Sequence, residues 1–277
     1  MARSEPTRVF IFGAGKVGVG LARALRATGC RVSQRPQRSG LPARRIDADV
    51  IVVAVRDRDI APCAEELRRR GLVGHQPVAI VHCAGALGPE ALAAARGANV
   101  AVAQMHPMIS FASKRVTPAL DRGQLHVDGD AAAVRAARAL GRRLGMTPRT
   151  VRGIDRVAYH AAAGLVANGA AALAAGGVEL LERAGVDRAT AAAMLGPLLR
   201  SVADNVERLG LPEALTGPVR RGDAAGVGRH LETLQRLAPS LVPFYVAAAK
   251  IQLPLARAIG EAPREGFDAI EAHLAGA

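Results

Sequence analysis

The chain has 277 residues, half of them hydrophobic, with a formal net charge of +13 and a pI near 11.2. That length and apolar content exclude a disordered chain and give one large domain or two. The basic balance invites a nucleic-acid reading, but the charge is almost all scattered arginine, as a coding bias towards G and C would give. Aromatics at 3% are too few for a base-stacking platform, so no nucleic-acid partner is expected.

In chain order, the first forty residues organise the rest. Val9-Phe10-Ile11-Phe12 is a short apolar strand that runs into Gly13-Ala14-Gly15-Lys16-Val17-Gly18. That turn opens a helix, Val19 to Thr28, stopped by Gly29, and Arg31-Val32-Ser33 forms a second strand. A G-x-G-x-x-G between strand and helix is the dinucleotide-binding fingerprint of a Rossmann domain. Gly13 permits the tight turn, Gly15 lets the backbone approach a pyrophosphate, and Gly18 allows close helix packing. The helix N-terminus then presents N–H groups and a favourable dipole to the phosphates.

The end of the second strand selects the dinucleotide. An NAD site places Asp or Glu about 20 residues past the glycines to hold the ribose 2′-hydroxyl. Here the sequence is Ser33-Gln34-Arg35-Pro36-Gln37-Arg38-Ser39, with no carboxylate. Arg35 and Arg38 can pair with a 2′-phosphate and Ser33 can donate to it, so the expected cofactor is NADP.

Strand and helix then alternate. Asp49 to Val55 is a continuous apolar run suited to a buried parallel strand, with Val55 and Arg56 at its ligand-binding carboxyl end. Further elements are a helix from Ile60 to Arg70, a strand from Pro77 to Cys83, a helix from about Pro89 to Arg96 and a strand from Val100 to Gln104. Polar and turn-forming groups follow at Gln104 to Phe111, including His106, Pro107 and Ser110. A strand at Leu125 to Val127, a helix from Asp130 to Leu144 and a strand at Arg149 to Val151 close the first domain near residue 152.

No strand is expected after Asp155. Arg156 to Ala184 is a long alanine- and glycine-rich helix, and Asp187 caps the next, to Leu209. Helices return at about 224–237, 239–259 and 264–274. The expected fold is therefore α/β: a Rossmann dinucleotide-binding domain, residues 1–152, and an all-helical domain, residues 153–277. No run of about 18 uninterrupted apolar residues occurs, so no membrane span is expected. The N-terminus lacks a hydrophobic signal core, and Cys30, Cys63 and Cys83 set neither a disulfide framework nor metal spacing. The expected compartment is the cytoplasm, and no metal is proposed.

A nicotinamide enzyme needs a substrate against the ring and a proton donor for the atom that gains charge. His160 and Asn168 lie on the long helix, separated by roughly 80° around its axis and about 12 Å along it. Gly164 between them leaves an open surface. His160 can protonate a carbonyl oxygen or imine nitrogen, and Asn168 can orient substrate or nicotinamide. His106, at the sheet edge with Ser110 four residues on, is the second candidate. Arg220 or Arg221 can clamp a substrate carboxylate, while Asp223 reads as a helix cap.

With these residues laid out, the chain resembles bacterial Rossmann-like proteins whose C-terminal helical domain is of the type called DUF2520. The stretches that carry the resemblance are Gly13 to Gly18, Met105 to Phe111, Tyr159-His160-Ala161-Ala162 with Asn168, and Thr216 to Asp223 with His230-Leu231. The architecture is similar to pyrroline-5-carboxylate reductase, 6-phosphogluconate dehydrogenase and ketopantoate reductase. The resemblance implies an NADP-dependent oxidoreductase with a cleft between its domains, acting on a small carbonyl or imine compound. It also implies homodimerisation through the helical domain. Ketopantoate is the first substrate expectation. The alternatives are a pyrroline-5-carboxylate-type imine, or NADPH binding without turnover in a sensor. One departure stands out. Ketopantoate reductase and 6-phosphogluconate dehydrogenase carry a lysine four residues before an asparagine on the first helix of the second domain. Gly164 stands there in this chain, and the helix holds no lysine, so His160 replaces it as the expected acid.

Overall fold

The computed structural model describes residues 6–277, which divide into two compact units at Gly164 and Leu165. In the first unit β1 (Arg8–Phe12), α1 (Lys16–Ala27) and β2 (Arg31–Arg35) are followed by β3 (Val50–Val53), α2 (Ile60–Arg69) and β4 (Val78–His82). Then come β5 (Val100–Pro107), β6 (Gln124–Gly129), α3 (Ala131–Arg143) and β7 (Thr147–Arg149). They build one seven-stranded sheet in the order β2-β1-β3-β4-β5-β6-β7, parallel except between β5 and β6. The order reverses between β1 and β3, the switch point outside whose carboxyl ends such sheets bind ligands. This is the expected Rossmann arrangement.

Alternation along each strand assigns its side chains to two layers. Val9 and Ile11 of β1 pack with Leu21 and Leu25 of α1 and Leu140 of α3. Phe10 and Phe12 face the other way, into a cluster with Ile60 and Leu67 of α2 and Leu92. Because helices cover both faces, β3 and β4 are buried along their whole lengths, which explains their uninterrupted apolar sequences.

Three expectations change. The segment expected as a helix from Pro89 is a 3-10 helix, Pro89–Ala95. The last strand lies at Thr147–Arg149, slightly earlier than expected, where it pairs in parallel with β6. β5 continues through Pro107, so His106 is a strand residue rather than part of a loop. Its register partner in β6 is His126, and the antiparallel pairing carries the strand past Gln104.

The helices after β7 are α4 (Arg156–Arg183), α5 (Arg188–Leu209), α6 (Ala224–Leu237), α7 (Val242–Ile259) and α8 (Arg264–Ala275). Asp155 starts α4 by accepting from the backbone N–H groups of Val157 and Ala158 at 2.9 and 3.0 Å. In the second unit Leu231 and Leu234 of α6, Leu253 and Ala256 of α7, and Phe267, Ile270 and Leu274 of α8 form a separate core. α4 contributes little to it, with Val178 its one buried residue. α4 is long and apolar enough to cross a membrane by length and composition only.

Candidate functional site

The glycine turn is held from both sides. Gly13 donates to the carbonyl of Arg35 at 2.9 Å, and the Gln34 amide donates to the carbonyl of Gly13 at 2.9 Å. Gly13 has φ +124°, and a Cβ there would lie 2.1 Å from the carbonyl oxygen of Ala54. Neither conformation nor space admits a side chain. A Cβ on Gly18 would lie 2.4 Å from the oxygen of Gly13, so that glycine sets the approach of α1. A Cβ on Gly15 would meet nothing within 4 Å. Gly13 and Gly18 thus occupy the tight turn and the close-packing position expected of them, and Gly15 leaves its space open.

Beside the turn opens a cavity of about 720 Å³. Gly13 to Val17, Pro36 to Arg38 and Ala54 to Asp57 line one part of it. Cys83 to Gly85, His106, Phe111, Lys114 and His160 line the rest. The sequence-expected residues brought together are therefore Gly13, Ala14, Gly15, Lys16, Val17, Arg38, Val55, Arg56, His106 and His160. Gly18 supports the turn from outside the cavity.

Several expected residues lie elsewhere. Ser33 and Ser110 are exposed and do not line the cavity. The Arg35 guanidinium, assigned to a 2′-phosphate, instead donates to the carbonyls of Gly40 and Ser39, both at 2.7 Å, and closes its own loop. Arg38, carried on that loop, is left as the cavity's arginine at this corner. Arg220, assigned to a substrate carboxylate, holds Glu261 through two guanidinium nitrogens and donates to the carbonyls of Glu213 and Leu215. That fork is filled within the second unit. Arg221 and Asn168 are exposed in the same unit. Asp223 accepts from Gly226 N–H at 2.8 Å and caps α6, as expected.

The other part of the cavity is shaped by buried polar groups. Gln104, fully buried, donates through Nε2 to the carbonyl of Ala84 at 2.8 Å. Its Oε1 accepts from Arg156 and, at 3.2 Å, from His126 Nδ1. Arg156 also reaches the Asp128 carboxylate. His82 accepts at Nδ1 from Ala84 N–H at 3.2 Å and donates from Nε2 to the carbonyl of Gly88 at 2.9 Å. The loop after β4 is thereby tied down, with Gly85 between two imidazoles. A Cβ on Gly85 would lie 2.5 Å from His160 Nδ1 and 2.9 Å from His106 Nε2. Burial pushes the Cys83 thiol up to about 12, favouring its protonated form.

Sequence reasoning missed Gln104, Arg156 and the role of Tyr159, whose hydroxyl lies 2.9 Å from His106 Nδ1. Lys114 also lines the cavity. Arg23 of α1 donates to the carbonyls of Lys114 and Arg115 and to Thr117 Oγ1, bringing that loop to the cavity. The signal available in sequence was the pair Gln104 and His106, two residues apart at the end of a buried strand.

Residues 124–251 match a domain of unknown function, DUF2520. No curated protein sequence matches the chain. Among solved structures it is similar to a Bacteroides fragilis protein whose name calls it an NADP oxidoreductase. The two are 22% identical, with 90% of this chain and 98% of that one covered and a TM-score of 0.66. It is similar to a Thermotoga maritima protein at 21% identity, with 90% and 98% covered and a TM-score of 0.65. A pyrroline-5-carboxylate reductase from Coxiella burnetii is 15% identical, with 91% and 98% covered and a TM-score of 0.59. At these identities the likeness shows a shared fold alone. The matched segment supplies His126, Asp128, Arg156, Tyr159 and His160, while the glycine turn and His106 precede it.

His106 responds to its surroundings strongly. Burial, then the neighbouring His160, His126 and His82, lowers it from 6.5 to about 4. Burial lowers His82 and His126 as well. A histidine held neutral in the fold contributes its stability in full above the unfolded value of 6.5, and loses it as pH falls towards about 4. For His106 the loss reaches about 3 kcal/mol at most. Chemical denaturation from pH 7 to 4 should show stability falling through this window, and His106→Gln should make the fall shallower. An unchanged slope in that variant would show that His106 is not held neutral.

Proposed function

We propose that the protein is an NADP-dependent oxidoreductase that reduces a small carbonyl compound bearing a carboxylate, with ketopantoate the first substrate to test. One observation carries this reading: the glycine turn and two imidazoles line the same cavity. The first unit holds the cofactor. Gly13 to Val17 take the pyrophosphate at the start of α1, and Arg38 takes the 2′-phosphate. Bound NADPH supplies a hydride. The chain's part is to hold the carbonyl near Gly85, where His106 and His160 can reach its oxygen, and to give that oxygen a proton.

The cavity's charge favours an anionic substrate. Beyond the residues given to the cofactor, Arg56 and Lys114 line it against one carboxylate, Asp57. A second reading, reduction of an imine, is favoured by neighbours named as pyrroline-5-carboxylate and imine reductases. NADPH oxidation should be followed by absorbance with ketopantoate, pyrroline-5-carboxylate and several 2-keto acids. We expect turnover with a keto acid. Tight NADPH binding without turnover of any of them would favour the sensor reading.

We also propose a homodimer, with the substrate and dimer roles in residues 153–277. Leu165, Val166 and Leu173 of α4 and Met194, Leu198, Val202 and Val206 of α5 are exposed in the single chain, an apolar surface larger than isolated residues account for. Light scattering on the purified protein should give twice the chain mass of 28.7 kDa. A monomer at micromolar concentration would remove this part of the proposal.

A further inference from the structure

Two imidazoles face the reacting end of the cavity, and their surroundings differ. His160 is exposed. His106 is held in place: its Nδ1 lies 2.9 Å from the Tyr159 hydroxyl, and the two rings meet edge to face with centroids 5.4 Å apart. Its Nε2 points the other way, to within 2.9 Å of where a Gly85 Cβ would stand, and has no hydrogen-bond partner among the described residues. Tyr159 is placed by the first turn of α4, where its N–H donates to the carbonyl of Asp155 at 2.9 Å. Its ring also packs on His126, with centroids 5.3 Å apart.

The direction of the Tyr159–His106 hydrogen bond follows from chemistry. A phenol is a much stronger donor than a neutral imidazole N–H, and an imidazole lone pair is a better acceptor than a phenol oxygen. His126 offers no competing acceptor, because its Nδ1–H donates to Gln104 and its Nε2 accepts from Val151 N–H. We propose that Tyr159 donates its hydroxyl to His106 Nδ1, which fixes His106 as the Nε2–H tautomer and makes it the proton donor at the reacting end of the cavity. This rests on the reductase reading above and names the donor within it.

The tautomer of a histidine is set by the bond its other nitrogen makes. Burial keeps both partners in the required form. His106 is neutral down to about pH 4, and the Tyr159 phenol is raised and stays protonated. The step balances. As hydride reaches the carbonyl carbon, the C=O π bond breaks and its electron pair goes to oxygen, which takes the proton from His106 Nε2. The Tyr159 proton moves to Nδ1, leaving a phenolate. Water then protonates Nε2, and the Nδ1 proton returns to Tyr159, so the net proton comes from solvent. His160, whose ring meets that of His106 edge to face with centroids 6.1 Å apart, holds the substrate rather than the proton.

The test needs no substrate. Protein with ¹⁵N-labelled histidine is observed by NMR at neutral pH, free and with NADP⁺, and His106→Gln identifies the His106 signals. The expected spectrum has a pyridine-like Nδ1 and a pyrrole-like Nε2 for His106. In Tyr159→Phe, with folding checked by circular dichroism, the two shifts should converge as both tautomers populate. A pyrrole-like Nδ1 in the unmodified protein would overturn the assignment outright, whether or not the variant folds. So would a spectrum that Tyr159→Phe leaves unchanged. Failure of the reductase reading is seen separately on the same samples, as histidine signals that do not respond to NADP⁺.

Discussion

The carbonyl oxygen of Ala54 lies where a side chain on residue 13 would have to be. That contact joins the ends of β1 and β3 at the one place where the strand order reverses. It forces glycine at the turn and lets Gly18 bring α1 close, while a Cβ on Gly15 would meet nothing within 4 Å. Everything the first unit offers a dinucleotide depends on this approach. The apolar layers around Ile11, Leu21 and Ile51 make it rigid.

A second constraint shapes the other part of the cavity. A buried amide must have its hydrogen bonds met, and Gln104 meets them from three directions: the loop after β4, His126 on β6, and Arg156 at the start of α4. One side chain thereby fixes Gly85, His106 and the first turn of α4 relative to each other. The polar layer behind the site is thus structural in its partners and functional in what it positions. Arg156 and Asp128 complete it, and leaving either unpaired in this half-buried place would be costly.

What was legible in the sequence was local. The G-x-G-x-x-G turn could be read because glycine needs a reason to be at each position. The buried strands could be read because covered sheets demand continuous apolar runs. The missing acid after β2 pointed to a phosphate-bearing cofactor. The illegible parts depend on partners distant along the chain. His106 looked like a loop residue because its strand partner, His126, lies twenty residues on. Arg35 and Arg220 looked like free anion binders because their carbonyl and carboxylate acceptors leave no pattern of their own. Tyr159 stood beside His160 in sequence, yet its hydroxyl serves the other histidine. A helix turns neighbouring side chains about 100° apart, and spacing alone does not say what each one meets.

The central claim is that the glycine turn with Arg38 holds NADPH. Isothermal titration calorimetry of the purified protein with NADPH and with NADH tests it most directly. The account predicts one NADPH per chain, bound about tenfold or more tighter than NADH, the size expected for a charged hydrogen bond to the 2′-phosphate. Arg38→Ala should remove that preference. Equal binding of the two nicotinamides would contradict the assignment of Arg38, and binding of neither would contradict the reading of the turn itself.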